Sequence, residues 1–338
     1  MFFPFFVSFV ITSFVSQVSA QCWRDTTCVP RTASFTGPWG SYIHAPSSRI
    51  VSPVSILNED RTFHSSYPGA GSTSLNSNGS LVIFDFGQEV GGIVTLGYSA
   101  SGSGEVGLAF SEAKNWTGIA SDGSNGFLNP GGDGAIFSLV TTKSSGNYTM
   151  PDEKLRGGFR YLSVFVYTNS SIDLEISSVT LELSFQPNWS DLQAYGGYFY
   201  SNDDLINRIW YSGAYTLQTN AVPPHAGRVY SSPTGWENNA FLGTNGTSIF
   251  VDGSKRNRSV WAGDLAIALP SVFVSTGDFE SSKNAIQVQY DIQVRVRLSL
   301  VSLCVLVLTE AYRNPQENSL SVVLRSTSMV LIHIICLP

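Results

Sequence analysis

The sequence predicts a multi-domain chain that is β first and α second, an antiparallel β-sandwich followed by helices. Three observations carry this. From about Ser34 to Phe185, short β-branched or aromatic runs alternate with Gly, Ser and Asn clusters. At Ser201 the apolar period lengthens to that of a helix. Strands come in one block and helices in another, so no βαβ alternation is present. At 338 residues the chain can hold two domains of ordinary size, ~100–200 residues each.

The strand candidates, in order, are Leu81–Phe86 (LVIFDF), Ile93–Tyr98, Glu105–Phe110, Ala135–Val140, Tyr161–Tyr167 and Leu174–Leu183. Clusters such as Ser99–Gly104 and Asn129–Gly134 separate them, as the turns of a sandwich would. Gly91-Gly92 and Gly157-Gly158 read as bulges or turns between strands. They do not open a helix, as a phosphate-binding glycine loop must. Ser201-Asn202-Asp203-Asp204 reads as a capping box, with the Ser201 hydroxyl at the N-cap and a carboxylate three residues on. Leu205, Ile206, Ile209, Trp210, Ala214 and Leu217 then recur at helical spacing and predict an amphipathic helix to about Asn220. Two further helices are expected over Asp264–Ser275, kinked at Pro270, and over Phe279–Tyr290.

Charged residues make up only 13% of the chain against a usual ~25%, and hydrophobic residues 43%, which excludes charge-driven disorder. The net charge is −6 and no Lys/Arg run occurs. Without a run of cations to displace counterions, nucleic acid is not expected as a partner.

Residues 1–20 hold an apolar stretch from Phe5 to Val15 followed by Val18-Ser19-Ala20, the small-x-small pattern of a signal-peptidase site. A cleaved signal peptide is expected, with Gln21 as the first mature residue, a secreted product and no membrane association afterwards. An uncleaved anchor is the alternative, although the apolar core falls short of the ~20 residues a span needs. Sequons at Asn78, Asn115, Asn147, Asn169, Asn188, Asn245 and Asn257 agree with glycosylation in the secretory route, and chance is their other reading in a Ser/Thr-rich chain. Cys22 and Cys28 are compatible with a small disulfide loop in an oxidising compartment.

Residues 292–338 change composition abruptly. They contain no Gly, Trp, Phe or Asp, whereas the preceding 291 residues hold all 31 Gly. Read-through or frameshifted translation is the expectation for this stretch, a buried strand or helix the alternative.

The densest polar cluster is Asp252–Asp264, DGSKRNRSVWAGD, with two carboxylates, the cations Lys255, Arg256 and Arg258, and Trp261. Trp236-Glu237-Asn238-Asn239 lies upstream. Rings beside carboxylates and amides suit a sugar: a ring for its apolar face, acceptors for its hydroxyls and an acid–base pair across the glycosidic bond. A capped helix start with surface salt bridges would read the same way. His44, His64 and His225 lack ligand spacing, and no GxSxG, HExxH or P-loop occurs. No metal and no organic cofactor is expected.

FDFGQEVGGIVTL (Phe84–Leu96), GFRYLSVFV (Gly158–Val166), YFYSNDDLINRIWYSGAYTLQTN (Tyr198–Asn220), DGSKRNRSVWAGD and VFVSTGDFESSKNAI (Val272–Ile286) together resemble the secreted α-L-rhamnosidases of fungal type. These are inverting glycoside hydrolases with a six-hairpin (α/α)6 catalytic barrel behind β-sandwich domains. The likeness covers roughly residues 30–291 and implies a signal peptide at 1–20, a sandwich at 21–190 and the start of the barrel at 191–291, with the aberrant tail at 292–338. It implies that Asp252 and Asp264 hold rhamnose hydroxyls and that Arg256 and Trp261 shape the pocket. Asn257 falls where the family's general acid stands, and a carboxamide cannot deliver a proton. A glycan on Asn257 would obstruct the pocket. A pocket-wall Asn with the acid supplied from elsewhere is the alternative. A full barrel needs about 200 residues, against the 143 that follow Tyr195. The expected function is that of a rhamnosidase-like polypeptide for terminal α-L-rhamnosides of plant glycosides or pectic side chains, incomplete and inactive as written. The competing class is a non-catalytic carbohydrate-binding sandwich.

Overall fold

The computed structural model describes residues 22–293 apart from 25, 34, 70–72, 124–134, 142–143 and 230–236. The expected signal segment, the tail from residue 294 onward, the glycine cluster 129–134 and Trp236 lie outside the described residues.

Nine strands build the first part: β1 (Ile50–Val51), β2 (Ser55–Leu57), β3 (Phe63–Ser66), β4 (Thr73–Leu75), β5 (Leu81–Ser111), β6 (Ile136–Thr141), β7 (Ser144–Thr149), β8 (Arg156–Tyr167) and β9 (Ile172–Leu183). The three strands expected between Leu81 and Phe110 are limbs of the single run β5. Its first limb pairs antiparallel with β2 and β8, its middle limb with β7 and β9, and its last limb with β8 again and β6. Leu162 of β8 is therefore opposite both Phe84 and Phe110. The separator expected at Ser99–Gly104 does not end the strand, because β9 takes up the ladder as far as Gly102 and β6 from Ser103. The bend falls at Gly102, whose φ of +97° and approach to Ser171 O, 2.1 Å from where a Cβ would stand, suit only glycine.

The alternation expected of a half-buried strand is clearest in β9. Ile172, Leu174, Ile176, Val179, Leu181 and Leu183 are buried, and most residues between them face outward. They share one core with Phe84, Leu96, Leu108, Phe110, Leu162 and Val164. Phe159 packs edge-on against Phe86 at 5.5 Å and Phe110 at 4.8 Å.

The second part contains α1 (Asp204–Thr219), β10 (Ala221–Val222), β11 (Gly227–Val229), β12 (Glu237–Ala240), β13 (Ile249–Phe250), α2 (Ala262–Val274) and α3 (residues 279–293). The N-cap of α1 is Asp203, not Ser201: the Asp203 carboxylate accepts from Leu205 N at 2.9 Å and Ile206 N at 3.2 Å. A charged acceptor satisfies two orphan amides at once and complements the helix dipole. The buried face overlaps the expected one only in part: Ala214 is buried and Trp210 and Leu217 pack against the core. Leu205 and Ile209 are 65% and 62% exposed, while Asn207, Tyr211, Ala214, Tyr215 and Gln218 are buried. The buried polar atoms are paired: Tyr215 Oη donates to Glu89 O at 2.8 Å, Tyr211 Oη to Phe199 O at 3.2 Å and Gln218 Nε2 to Leu192 O at 2.7 Å. α2 runs through Pro270.

Among the described residues the three helices do not close a barrel, and no helix is long and apolar enough to cross a membrane. The linker between the two parts is wrapped around Arg49, whose guanidinium donates to the carbonyls of Leu183, Phe185, Gln186 and Trp189 at 2.8–3.1 Å. Burial pulls its pKa down to about 10. Arg31 stacks on Trp189 at 3.8 Å and donates to Thr276 O at 2.6 Å, which ties the N-terminal segment to the end of α2. Cys22 and Cys28 are joined in a disulfide with Cα atoms 5.5 Å apart.

Candidate functional site

The 252–261 loop connects β13 to α2. Its entry is fixed because β13 pairs with β10 and Val251 N donates to Asn220 O at 2.9 Å, so the chain leaves a buried position at Val251. Its exit is the start of α2, where Leu265 N donates to Trp261 O at 3.0 Å. The loop closes on itself through Asp252 and Ser259, whose backbone and side-chain groups bond twice. Asn257 and Arg258 at its tip have φ of +69° and +39°, a region that Asn tolerates better than most residues.

The three cations of the motif have different fates. Arg258 is buried, with Nε donating to Ala226 O at 2.7 Å and Nη1 to Ser254 O at 3.1 Å. Lys255 turns toward the nine-stranded sheet and meets Glu112 Oε2 at 2.6 Å and Asp122 Oδ2 at 3.3 Å. Arg256 is exposed, as are Trp261 and Asp264, while Asp252 and Asn257 are half-buried. Burial pushes the Asp252 carboxyl up, against hydrogen bonds from Ser259 and Asn257; the Asp264 charge adds to the rise. The structure thus brings Asp252, Asn257 and Asp264 into one electrostatic neighbourhood and leaves Arg256 and Trp261 at its solvent edge. None of these five residues lines the described clefts of about 450 Å³ beside His44 and Gln88 and about 490 Å³ between α2 and α3.

Sequence reasoning missed the other half of this neighbourhood. Glu89 and Glu112, in and just after β5, and Asp122 face the loop from the sandwich. Arg156, at the start of β8, is ion-paired with Asp122, and Ser254 Oγ donates to Glu89 Oε1 at 3.3 Å. Burial pushes the Glu89 carboxyl up and Glu112 adds to it, while Ser254 and Lys255 oppose. The one sequence signal for this junction was Gly157-Gly158. A Cβ on Gly157 would stand 1.8 Å from Ser254 O and 1.9 Å from Arg258 Nη1, and one on Gly158 2.5 Å from Glu89 Oε1. These glycines are the seat of the loop rather than a simple turn.

Of the upstream cluster, Asn238 is a buried structural amide that donates to Leu155 O at 2.5 Å. His44, His64 and His225 stand on separate elements, and no group of three or more His, Cys, Asp or Glu able to hold a metal occurs among the described residues. Asn78, Asn115, Asn147 and Asn169 are exposed, and Asn245 and Asn257 half-buried. Asn188 is only 1% exposed and its Nδ2 donates to Glu280 Oε2 at 2.8 Å, so a glycan on that nitrogen does not fit the fold.

No family model and no curated protein matches the chain. Solved structures to which it is similar include a rhamnosidase from Klebsiella oxytoca with rhamnose bound, at 16% identity and a TM-score of 0.47, covering 73% of this chain and 44% of that one. A GH78 family rhamnosidase of Bacillus sp. GL1 is similar at 17% identity and a TM-score of 0.43, covering 61% of this chain and 17% of the other. An α-L-rhamnosidase from Dictyoglumus thermophilum is similar at 16% identity and a TM-score of 0.40, over 70% and 20%. The chain spans less than half the length of each.

Proposed function

We propose that the chain is a rhamnosidase-like polypeptide of the secretory route that binds terminal α-L-rhamnose at the 252–264 loop without hydrolysing it. The reading rests on the motif resemblance, D-G-S-K-R-N-R-S-V-W-A-G-D in the order and spacing of the family's sugar loop. The observation that carries it is the state of the two central groups: Asp252 is a half-buried carboxylate held by the Ser259 amide, and Asn257 beside it is a carboxamide. A carboxylate fixed in this way can accept hydrogen bonds from vicinal hydroxyls, with Asp264 as a second acceptor and Trp261 as an exposed ring for the sugar's apolar face. Asn257 has no proton to give to a leaving oxygen, and that assistance is worth ~10²–10⁴-fold in rate. Inverting hydrolysis needs both an acid and a base across the bond, so this loop supports recognition and not turnover.

The test is calorimetric titration of the purified chain with methyl α-L-rhamnoside, alongside an aryl-rhamnoside hydrolysis assay. Binding that Asp252→Ala and Asp264→Ala abolish, without aglycone release, is expected. Hydrolysis abolished by Asp264→Ala would refute the inactive reading. Binding kept by both variants would move the sugar site to the sandwich.

A further inference from the structure

Lys255 stands in the K-R-N-R run with its side chain only 17% exposed and turned toward the nine-stranded sheet. Its ammonium bridges Glu112 Oε2 at 2.6 Å and Asp122 Oδ2 at 3.3 Å. Those carboxylates are themselves fixed: Glu112 N donates to Asp122 Oδ2 at 3.0 Å, and Asp122 is ion-paired with the buried Arg156. Glu89 adds a third carboxylate, touched by Ser254. Among the described residues Glu89, Glu112 and Asp122 thus gather around Lys255 and Arg156, and removing Lys255 takes a cation from between Glu112 and Asp122. Like charges at this range in a partly dry junction repel strongly.

On its other side the loop is rigid. Arg258 is locked under it by Ala226 O and Ser254 O, and Asp252 and Ser259 close its neck. Lys255 lies three residues from Asp252 and two from Asn257. Arg258 and the Asp252–Ser259 pair hold the neck of the loop, and the Lys255 ion pairs fix the stretch 253–257 that runs between them.

We infer that Lys255 is a positioning residue for the sugar loop: clamped by Glu112 and Asp122, it sets where Asp252 and Asn257 stand, so that the sandwich governs ligand affinity without touching the ligand. The inference rests on the functional reading above. It makes Glu112, Asp122, Gly157 and Gly158 part of the recognition apparatus although they lie 94 or more residues from Asp252 in the chain.

The experiment uses the full chain and two readouts. Titration with methyl α-L-rhamnoside should show Kd weakened ~10-fold or more in Lys255→Met and in the Glu112→Gln/Asp122→Asn pair, and restored to within about threefold in Lys255→Arg, because small displacements of a site cost affinity steeply. Amide hydrogen exchange at Asp252 and Ser259 should accelerate ~10-fold or more in Lys255→Met, with β9 unchanged, as local opening predicts. Unchanged loop exchange in a folded Lys255→Met chain overturns the inference. Unchanged Kd in that variant, where Asp252→Ala abolishes binding, overturns it as well. Accelerated exchange in a chain whose parent form does not bind the rhamnoside upholds the positioning and overturns the functional reading.

Discussion

Asp252 and Ser259 are bonded twice: the Asp252 amide donates to Ser259 O at 3.0 Å, and the Ser259 amide donates to Asp252 Oδ1 at 3.0 Å. This closes an eight-residue loop and forces its tip into the left-handed conformations of Asn257 and Arg258. Asn257 therefore stands where the backbone favours Asn or Gly.

Asn257→Gly should keep the loop folded within a few tenths of a kcal/mol, whereas Asn257→Val should cost about 1–2 kcal/mol, because a β-branched side chain crowds the backbone at φ near +69°. Chemical denaturation of the two variants beside the parent chain checks this. Equal costs would show that the tip is not held in that conformation.

Gly157→Ala should be severely destabilising, because the new methyl would stand 1.8 Å from Ser254 O, a backbone atom, and 1.9 Å from the buried Arg258 guanidinium. Overpacking of this kind costs about 1–3 kcal/mol or more. Gly146→Ala in β7 is the control, since nothing lies within 4 Å of its added carbon. Melting temperatures of the two variants should separate clearly.

Arg49→Met should cost about 3 kcal/mol or more, because it strips a shared donor from four carbonyls of the linker. Arg49→Lys should recover only part of it, as an ammonium cannot reproduce the planar fork. Full recovery by Lys would reduce the role of Arg49 to its charge.

Asp278 precedes α3, accepts from Ser281 N at 3.1 Å and from Gln186 Nε2 at 2.7 Å, and is almost wholly enclosed. Burial pushes its carboxyl up, opposed by the Ser281 bonds and the Arg31 charge, with Glu280 adding to the rise. A raised folded value means that the folded chain holds the extra proton. This contribution to stability is full below the ordinary carboxylate range of about 4 and is lost as pH rises through the folded value. Asp278→Asn removes the titration, and the Oε1 of Gln186, which has no partner, can turn to accept from the new amide. The stability of the variant relative to the parent should therefore increase from pH about 4 to about 8 in urea denaturation. A pH-independent difference would contradict the burial argument.

Two substitutions on α1 separate its faces. Ile209→Lys, at a position 62% exposed, should change stability by no more than about 0.5 kcal/mol, while Tyr211→Ala, fully buried and bonded to Phe199 O, should cost about 3–5 kcal/mol. A large cost at Ile209 would show that another surface covers it in solution.

Local chemistry accounts for what could be read from the chain. The strands Tyr161–Tyr167 and Leu174–Leu183 and the helices after Ser201 follow from period and turn residues, and β8, β9, α1, α2 and α3 stand close to where those patterns put them. The sequence by itself also marked DGSKRNRSVWAGD as its densest polar cluster, but it read Gly157-Gly158 only as a bulge or turn. Tertiary structure decided the rest, for reasons no local pattern holds. The separators inside β5 stayed in the ladder because strands distant in sequence satisfied their backbone groups. Leu205, Ile206 and Ile209 of α1 faced outward while Ala214 was buried and Trp210 and Leu217 packed against the core, because Tyr211 and Tyr215 turn inward and find partners for their hydroxyls. Lys255 turned toward the sheet because Glu112 and Asp122, more than a hundred residues earlier, supply two carboxylates to its ammonium. Periodicity reports which residues share a face, but the partner that face meets is chosen by the whole fold.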